Sequence, residues 1–432
     1  MLLSLLCFCS GIVRASAPSD DEPINYASAA VHEPIATLQK RIASGTLTLE
    51  YDDKHGYLTS LLKELNVSAS SQMLVFSKTS FQRHYIFPES PRALYFSDDM
   101  YIGWVKGAEM LEIVAMDPEK GPIFYTLPQH RADKPEFTRQ TDNCLQCHES
   151  GMTEGNPGLL VRSVFPDSDG MPIYSAGTFR ISHESLLKER WGGWYVTGTH
   201  GAQRHMGNQI VKDKEHPDSF DADKGANVTD LSRLIDVRPY LNPGSDIVAL
   251  MTLEHQAKAQ NLITRASYLA RAALRDEAIM DKVLNRPVTP GSPHSESTVS
   301  RIKDACEPLV KYMLFTDETK LTARVKGTSD FAAQFQAQGP RDHLGRSLRD
   351  YDLKTRLFRY PFSYLIYSEA FDALPTLVRE YVLQRVYDIL SGKDRSADYA
   401  KISAIDREAI LEILRETKPN LPLYWKASGP KQ

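Results

Sequence analysis

Residues 100–127 read MYIGWVKGAEMLEIVAMDPEKGPIFYTL. Three runs within them, 100–105, 110–116 and 121–127, are rich in β-branched and aromatic side chains. Lys106-Gly107 and Pro118-Glu119-Lys120-Gly121 separate the runs as turns. Extended runs joined by turns this short pair antiparallel, so the stretch is expected to be a meander, joined upstream by 72–77. Downstream, 159–165, 171–178 and 193–198 read as further strands, with Asp167-Ser168-Asp169-Gly170 as the turn between the first two.

Outward from this block the period changes. On its N-terminal side, 32–44 and 57–65 read as short helices, the second carrying Leu58, Leu61, Leu62 and Leu65 at helical spacing. From about Asp230 the pattern is helical: 246–276, then 297–315, 328–337, 375–391 and 404–416, with a Pro-, Ser- and Thr-rich loop from Pro287 to Pro293. The expected fold class is α+β. Its divisions are a leader at 1–17, a mobile linker at 18–27, a strand-rich region at 28–230 and a helical region at 231–432.

The N-terminus suggests a compartment. Residues 1–13 form an apolar run too short to span a bilayer, followed by Arg14 and the small residues Ala15, Ser16 and Ala17, as in a secretory signal peptide. Cleavage after Ala15 keeps Pro18 clear of the cut. The expected location is the periplasm or the exterior. No other stretch approaches 18 consecutive apolar residues, so no membrane span is expected in the mature chain. Lys plus Arg is 51 against 55 Asp plus Glu, a net charge of −4 that offers no general attraction to nucleic acid. Removing the leader takes Cys7 and Cys9 with it, leaving Cys144, Cys147 and Cys306, an odd number that excludes a disulfide-stapled scaffold.

Two of those three cysteines carry the chemistry. Cys144-Leu145-Gln146-Cys147-His148 matches the C-x-x-C-H pattern of covalent haem attachment. On one helical turn two thiols can form thioethers with the haem vinyl groups while the adjacent imidazole faces the iron. Asp142 or Asn143 could cap that turn. With 5 Cys and 12 His in 432 residues, about 0.002 chance matches are expected, so chance is a weak rival. A thiol redox pair and a zinc site are the chemical alternatives; neither a thioredoxin-like unit nor two further close ligands is visible. G-x-S-x-G, P-loop, G-x-G-x-x-G and H-E-x-x-H patterns are absent from the sequence.

With its leader, the pentapeptide makes the chain resemble the c-type cytochromes of the bacterial cell envelope. The stretches Phe76 to Ser80 (FSKTS), Trp191 to Gly198 (WGGWYVTG) and Asp352 to Phe358 (DLKTRLF) resemble a group of larger bacterial monohaem proteins without an assigned reaction. The cytochrome resemblance implies one covalent haem c, with thioethers at Cys144 and Cys147 and His148 as axial ligand.

A second axial ligand would separate electron transfer from chemistry at iron. The densest group of candidates is Thr199 to Asn208, where glycines would let a loop approach a flat cofactor. His205 leads, with Met206 and His200 behind it, and Arg204 is placed to pair with a haem propionate. His255 is weighed separately, because Val248, Met251, His255, Ala259 and Leu262 share one helical stripe and face inward. The expected function is electron transfer with a redox partner protein. The alternative is a haem enzyme or small-ligand sensor with an open distal site, where His205, Arg204 or His255 would act as acid, base or hydrogen-bond donor.

Overall fold

The structure, a computed structural model, describes residues 19–287, 289 and 292–426. The leader expected at 1–17 lies outside the described residues. The strands are β1 (Met73–Val75), β2 (Arg92–Phe96), β3 (Met100–Trp104), β4 (Met110–Asp117), β5 (Gly121–Pro128), β6 (Thr138–Arg139), β7 (Arg162–Val164), β8 (Thr178–Arg180) and β9 (Trp194–Tyr195). Seven form one antiparallel sheet in the order β6-β5-β4-β3-β2-β1-β9, and β7 and β8 pair separately.

The expected meander is β3-β4-β5, with Ile102 opposite Ile113 and Val114 opposite Phe124. Alternation explains its two faces. In β4, Leu111, Ile113 and Ala115 are buried while Met110, Glu112 and Val114 are half-buried. The buried set packs beneath α1 (Pro34–Ala43) and α2 (Leu58–Glu64), in one core with Ile35, Leu38, Leu58 and Leu61. The half-buried set faces the other way, toward the Cys-containing turn, α3 (Leu145–His148).

The axis of the molecule is α4 (Ile247–Val283), 37 residues long and about 55 Å at 1.5 Å per residue. Asp246 caps it by accepting from the backbone N–H of Val248 and Ala249. Around it stand α5 (Glu296–Met313), α6 (Phe331–Ala337), α7 (Glu369–Asp372), α8 (Thr376–Leu390) and α9 (Ala404–Thr417). The fold is therefore α+β, with strands between residues 73 and 195 and helices mainly from 247 to 417. One buried cluster runs from Met73 through α4 to Trp425, so sheet and helices share a core.

Three expectations change. Residues 19–27 are not a loose linker: Ile24 and Tyr26 are buried, the Tyr26 hydroxyl donates to the Pro122 carbonyl at 2.7 Å, and Arg139 binds the Tyr26 and Ala29 carbonyls. Burying a side chain such as Ile24 gains about 1.5–3 kcal/mol, enough to offset the ~1–2 kcal/mol cost of ordering its backbone. A strand was not expected at β2, because Pro88 and Pro91 give its approach the look of a loop. The run 171–178 is strand only at its end: Asp167–Gly170 does turn, but it closes a single bridge between Pro166 and Pro172, and Tyr174–Ala176 coil into a 3-10 turn.

Candidate functional site

After edge strand β6 the chain turns back over the half-buried sheet face as α3. The single turn is closed by Cys147 and His148 N–H groups donating to the Cys144 carbonyl at 3.2 and 3.0 Å. Leu145 is buried and anchors the turn in the core under the sheet, leaving Cys144 half-buried and Cys147 exposed. Neither Asp142 nor Asn143 caps it with a side chain; the Asp142 carbonyl accepts from Gln146 N–H instead.

The His148 ring is fixed from two sides. Its Nδ1 lies 2.9 Å from the Gly158 carbonyl, and Gly158 N–H donates back to the His148 carbonyl at 2.8 Å. A carbonyl only accepts, so Nδ1 carries the proton and Nε2 holds the lone pair. That Nε2 has no hydrogen-bond partner among the described residues. Gly158 can be nothing larger: a Cβ there would stand 2.7 Å from Thr153 Cβ and 2.9 Å from Asn261 Oδ1. Asn261, on α4, clamps Leu159 by accepting from its N–H and donating to its carbonyl, each at 2.7 Å. The axis helix thus holds the strap that orients the imidazole. Sequence reading missed Asn261, and its only signal is a polar residue inside a buried helical stretch.

The surroundings set the charge. The Phe124 ring lies 4.8 Å from the His148 ring. Burial pulls His148 below the usual histidine range, against the pull of the Gly158 carbonyl, and Arg92 adds to the lowering. The imidazole is therefore neutral at neutral pH. Burial, with Glu112 adding to it, pushes the Cys144 thiol up to about 11. Both motif cysteines are free thiols. A thiol–disulfide catalyst needs a lowered thiol pKa, so Cys144 is poorly suited to that alternative. A zinc site also lacks its further ligands, since among the described residues no three His, Cys, Asp or Glu side chains stand together. Cys306, buried and pushed up to about 12, is an inert core thiol.

The residues expected to supply a second ligand lie elsewhere and are committed. His205 packs edge-on against Trp191, 5.1 Å between centroids, three residues before β9. His148 packs on Phe124 of β5, whereas β9 lies five strands further along the sheet. His205 Nδ1 also accepts from Gly207 N–H at 3.0 Å, which puts the proton on Nε2 and leaves neither nitrogen a free lone pair. His200 uses both nitrogens, Nδ1 on the Gln203 carbonyl and Nε2 on Asn227 N–H. The Met206 sulfur accepts from Ser163 and packs with Phe165 and Val211. His255 is buried with Nδ1 on His183 Nδ1 at 2.9 Å and Nε2 on Ser363 at 2.8 Å. Arg204 is half-exposed and pairs with Asp223. Among the described residues no hydrogen bond, ion pair or ring contact joins the 199–208 group to the motif, and that segment follows β9, the sheet edge opposite β6.

Comparison with family models, with curated proteins and with solved structures finds no match for this chain. The chemistry is read from the residues alone. Two free thiols and a neutral imidazole with an open Nε2, on one turn beside the Phe124 ring and on the sheet face that also carries Val114 and Leu94, form a donor set that fits a covalently attached haem.

Proposed function

We propose that this chain is a monohaem c-type cytochrome of the cell envelope that passes electrons to a redox partner protein. The observation that carries the reading is the His148 geometry: within C-x-x-C-H, Nδ1 donates to the Gly158 carbonyl and Nε2 is left free. Metal-bound histidines hold their orientation through such a bond from the other ring nitrogen. The bound haem would supply a one-electron couple. Cys144 and Cys147 would hold it by thioethers, and His148 would bind its iron through Nε2. Phe124, Leu94 and Val114 would shield one side from water, while the exposed Cys147 edge leaves a route for electron exchange with a partner. The apolar run at residues 1–13 supports export, which haem attachment requires. Among the described residues no helix is long and apolar enough to cross a membrane.

A second reading, a small-ligand sensor or haem enzyme, is favoured by one observation. His200, His255 and Met206 are bonded to groups other than the motif and His205 Nδ1 accepts from Gly207 N–H, so none of the four is shown offering a further ligand to a haem held at His148.

The test is an absorption spectrum of the exported protein, oxidised and reduced, with and without carbon monoxide, together with haem retention after denaturation. Covalent low-spin haem indifferent to carbon monoxide supports the carrier. Covalent high-spin haem that binds it at once supports the second reading, and absence of covalent haem overturns both.

A further inference from the structure

The half-buried sheet face beside the motif carries an ion pair that the redox reading does not use. Arg92 of β2 donates to Glu112 of β4 at 2.7 Å, and the Ser80 hydroxyl reaches both Glu112 oxygens at 2.7 and 2.9 Å. The two residues are on strands separated by β3, and a bare position lets them meet. Gly103 stands between Leu94 and Glu112 in register, and a Cβ there would meet Leu94 at 3.3 Å and Arg92 Cδ at 3.5 Å. Arg92 lies across that glycine. Its side chain is 17% and that of Glu112 22% exposed, so water screens the pair only partly.

The pair is close to His148. The His148 ring packs on Phe124, Phe124 is opposite Val114, and Val114 is two residues from Glu112 on the same face of β4. Two residues along a strand are about 6.7 Å. Arg92, lying across Gly103 onto Glu112, brings its guanidinium onto the same sheet face. A positive charge gained by an oxidised metal at that imidazole would meet the field of the same two side chains.

We propose that the Arg92–Glu112 pair, braced by Ser80, sets the reduction potential of the redox centre held by His148. Glu112 favours the oxidised, more positive state, and Arg92 favours the reduced one. Ser80 fixes the carboxylate so that the two effects are held in a constant ratio. The inference rests on the cytochrome reading.

The experiment is a potentiometric titration of the exported holoprotein with Glu112→Gln, Arg92→Gln, Arg92→Lys and the Arg92→Gln/Glu112→Gln double variant. Glu112→Gln is expected to raise the potential and Arg92→Gln to lower it. Each should change the oxidised-to-reduced ratio at fixed potential by about tenfold, which is 59 mV for a one-electron couple. Arg92→Lys and the double variant should stay near the parent. A merely structural role predicts another pattern, because loosening this face wets the centre in both single variants and moves them the same way. Shifts of the same sign, or no shift, overturn the inference while leaving the cytochrome intact. A parent without covalent haem overturns the cytochrome reading and this inference with it.

Discussion

Two groups of histidines sit in opposite circumstances. His148 is half-buried on a one-turn helix at the edge of the sheet, with one nitrogen tied to a backbone carbonyl and the other free. His183 and His255 are wholly buried in the shared core, bonded to each other through Nδ1. Tyr312 stacks 4.1 Å and Phe315 4.3 Å from the His183 ring, and Phe315 lies 4.5 Å from His255. The first arrangement leaves a ring nitrogen unbonded at the surface, while the second joins His183 in the strand region to α4, α5 and the Ser363 segment. Burial separates them, since His148 reaches solvent and His183 and His255 do not. An unbonded nitrogen alone does not, because His183 Nε2 also lacks a partner but is sealed in the core.

The sharpest way to break this comparison is at the thiols. On the proposed reading, Cys144→Ser/Cys147→Ser should abolish covalent haem, since the remaining thiol among the described residues, Cys306, is buried on α5, yet leave far-ultraviolet dichroism nearly unchanged because Cys147 is exposed and Cys144 only packs against the core. The same haem stain should survive His255→Ala and His205→Phe. Loss of stain in either of those would mean that the buried histidines take part in holding the cofactor.

Acid should separate the groups next. Burial pulls His205 and His255 down to about 3 and His183 well below the usual range, with His255 adding to the lowering of His183. These groups are neutral when folded and charged when unfolded below about 6.5, so the unfolded chain takes up more protons and stability falls as pH falls. Glu254 and Glu318, pushed up to about 7 by burial, act in the opposite sense between about 7 and 4.5. The loss should therefore be gentle down to about pH 4.5 and steep from there to about 3, where each imidazole contributes roughly 1.4 kcal/mol per pH unit. Urea unfolding at stepped pH measures it. His205→Phe should flatten the steep limb by one proton's worth; an unchanged slope would sink the assignment.

A neutral-pH comparison follows. His255→Ala leaves a cavity among Phe315, Phe358 and Tyr364 and strips partners from His183 and Ser363. The expected cost is about 3 kcal/mol in urea unfolding, with the haem spectrum unchanged. A cost below about 1 kcal/mol would show that the pair is not a joint of the core.

Part of this was legible in sequence and part was not, for physical reasons. The meander shows because alternation and short turns are local, and α4 shows because its apolar stripe repeats at helical spacing. The motif shows because its chemistry is contained in five adjacent residues. The support for His148 is hidden: Asn261 meets Leu159 across 102 positions, and no local rule announces that. The commitment of His200 and His205 is hidden too, since their partners are the backbone N–H groups of Asn227 and Gly207, which carry no side-chain signature. Residues 19–27 look like a linker by composition because a single buried tyrosine and isoleucine fix them.

The smallest expected effect tests the same lesson at Arg204. Density of candidates made it a propionate partner on paper, whereas in the fold its guanidinium lies 36% exposed beside an Asp223 that is 76% exposed. An ion pair so open to water contributes at most about 1 kcal/mol, and salt screens it further. Arg204→Ala should therefore change stability by less than about 1 kcal/mol and leave the reduction potential where it was. Arg92→Gln, by contrast, should move the potential from a position that sequence gave no reason to select. If Arg204→Ala shifts the potential as far as Arg92→Gln does, the haem is not confined to the face of β2, β4 and β5, and the 199–208 loop must reach it after all.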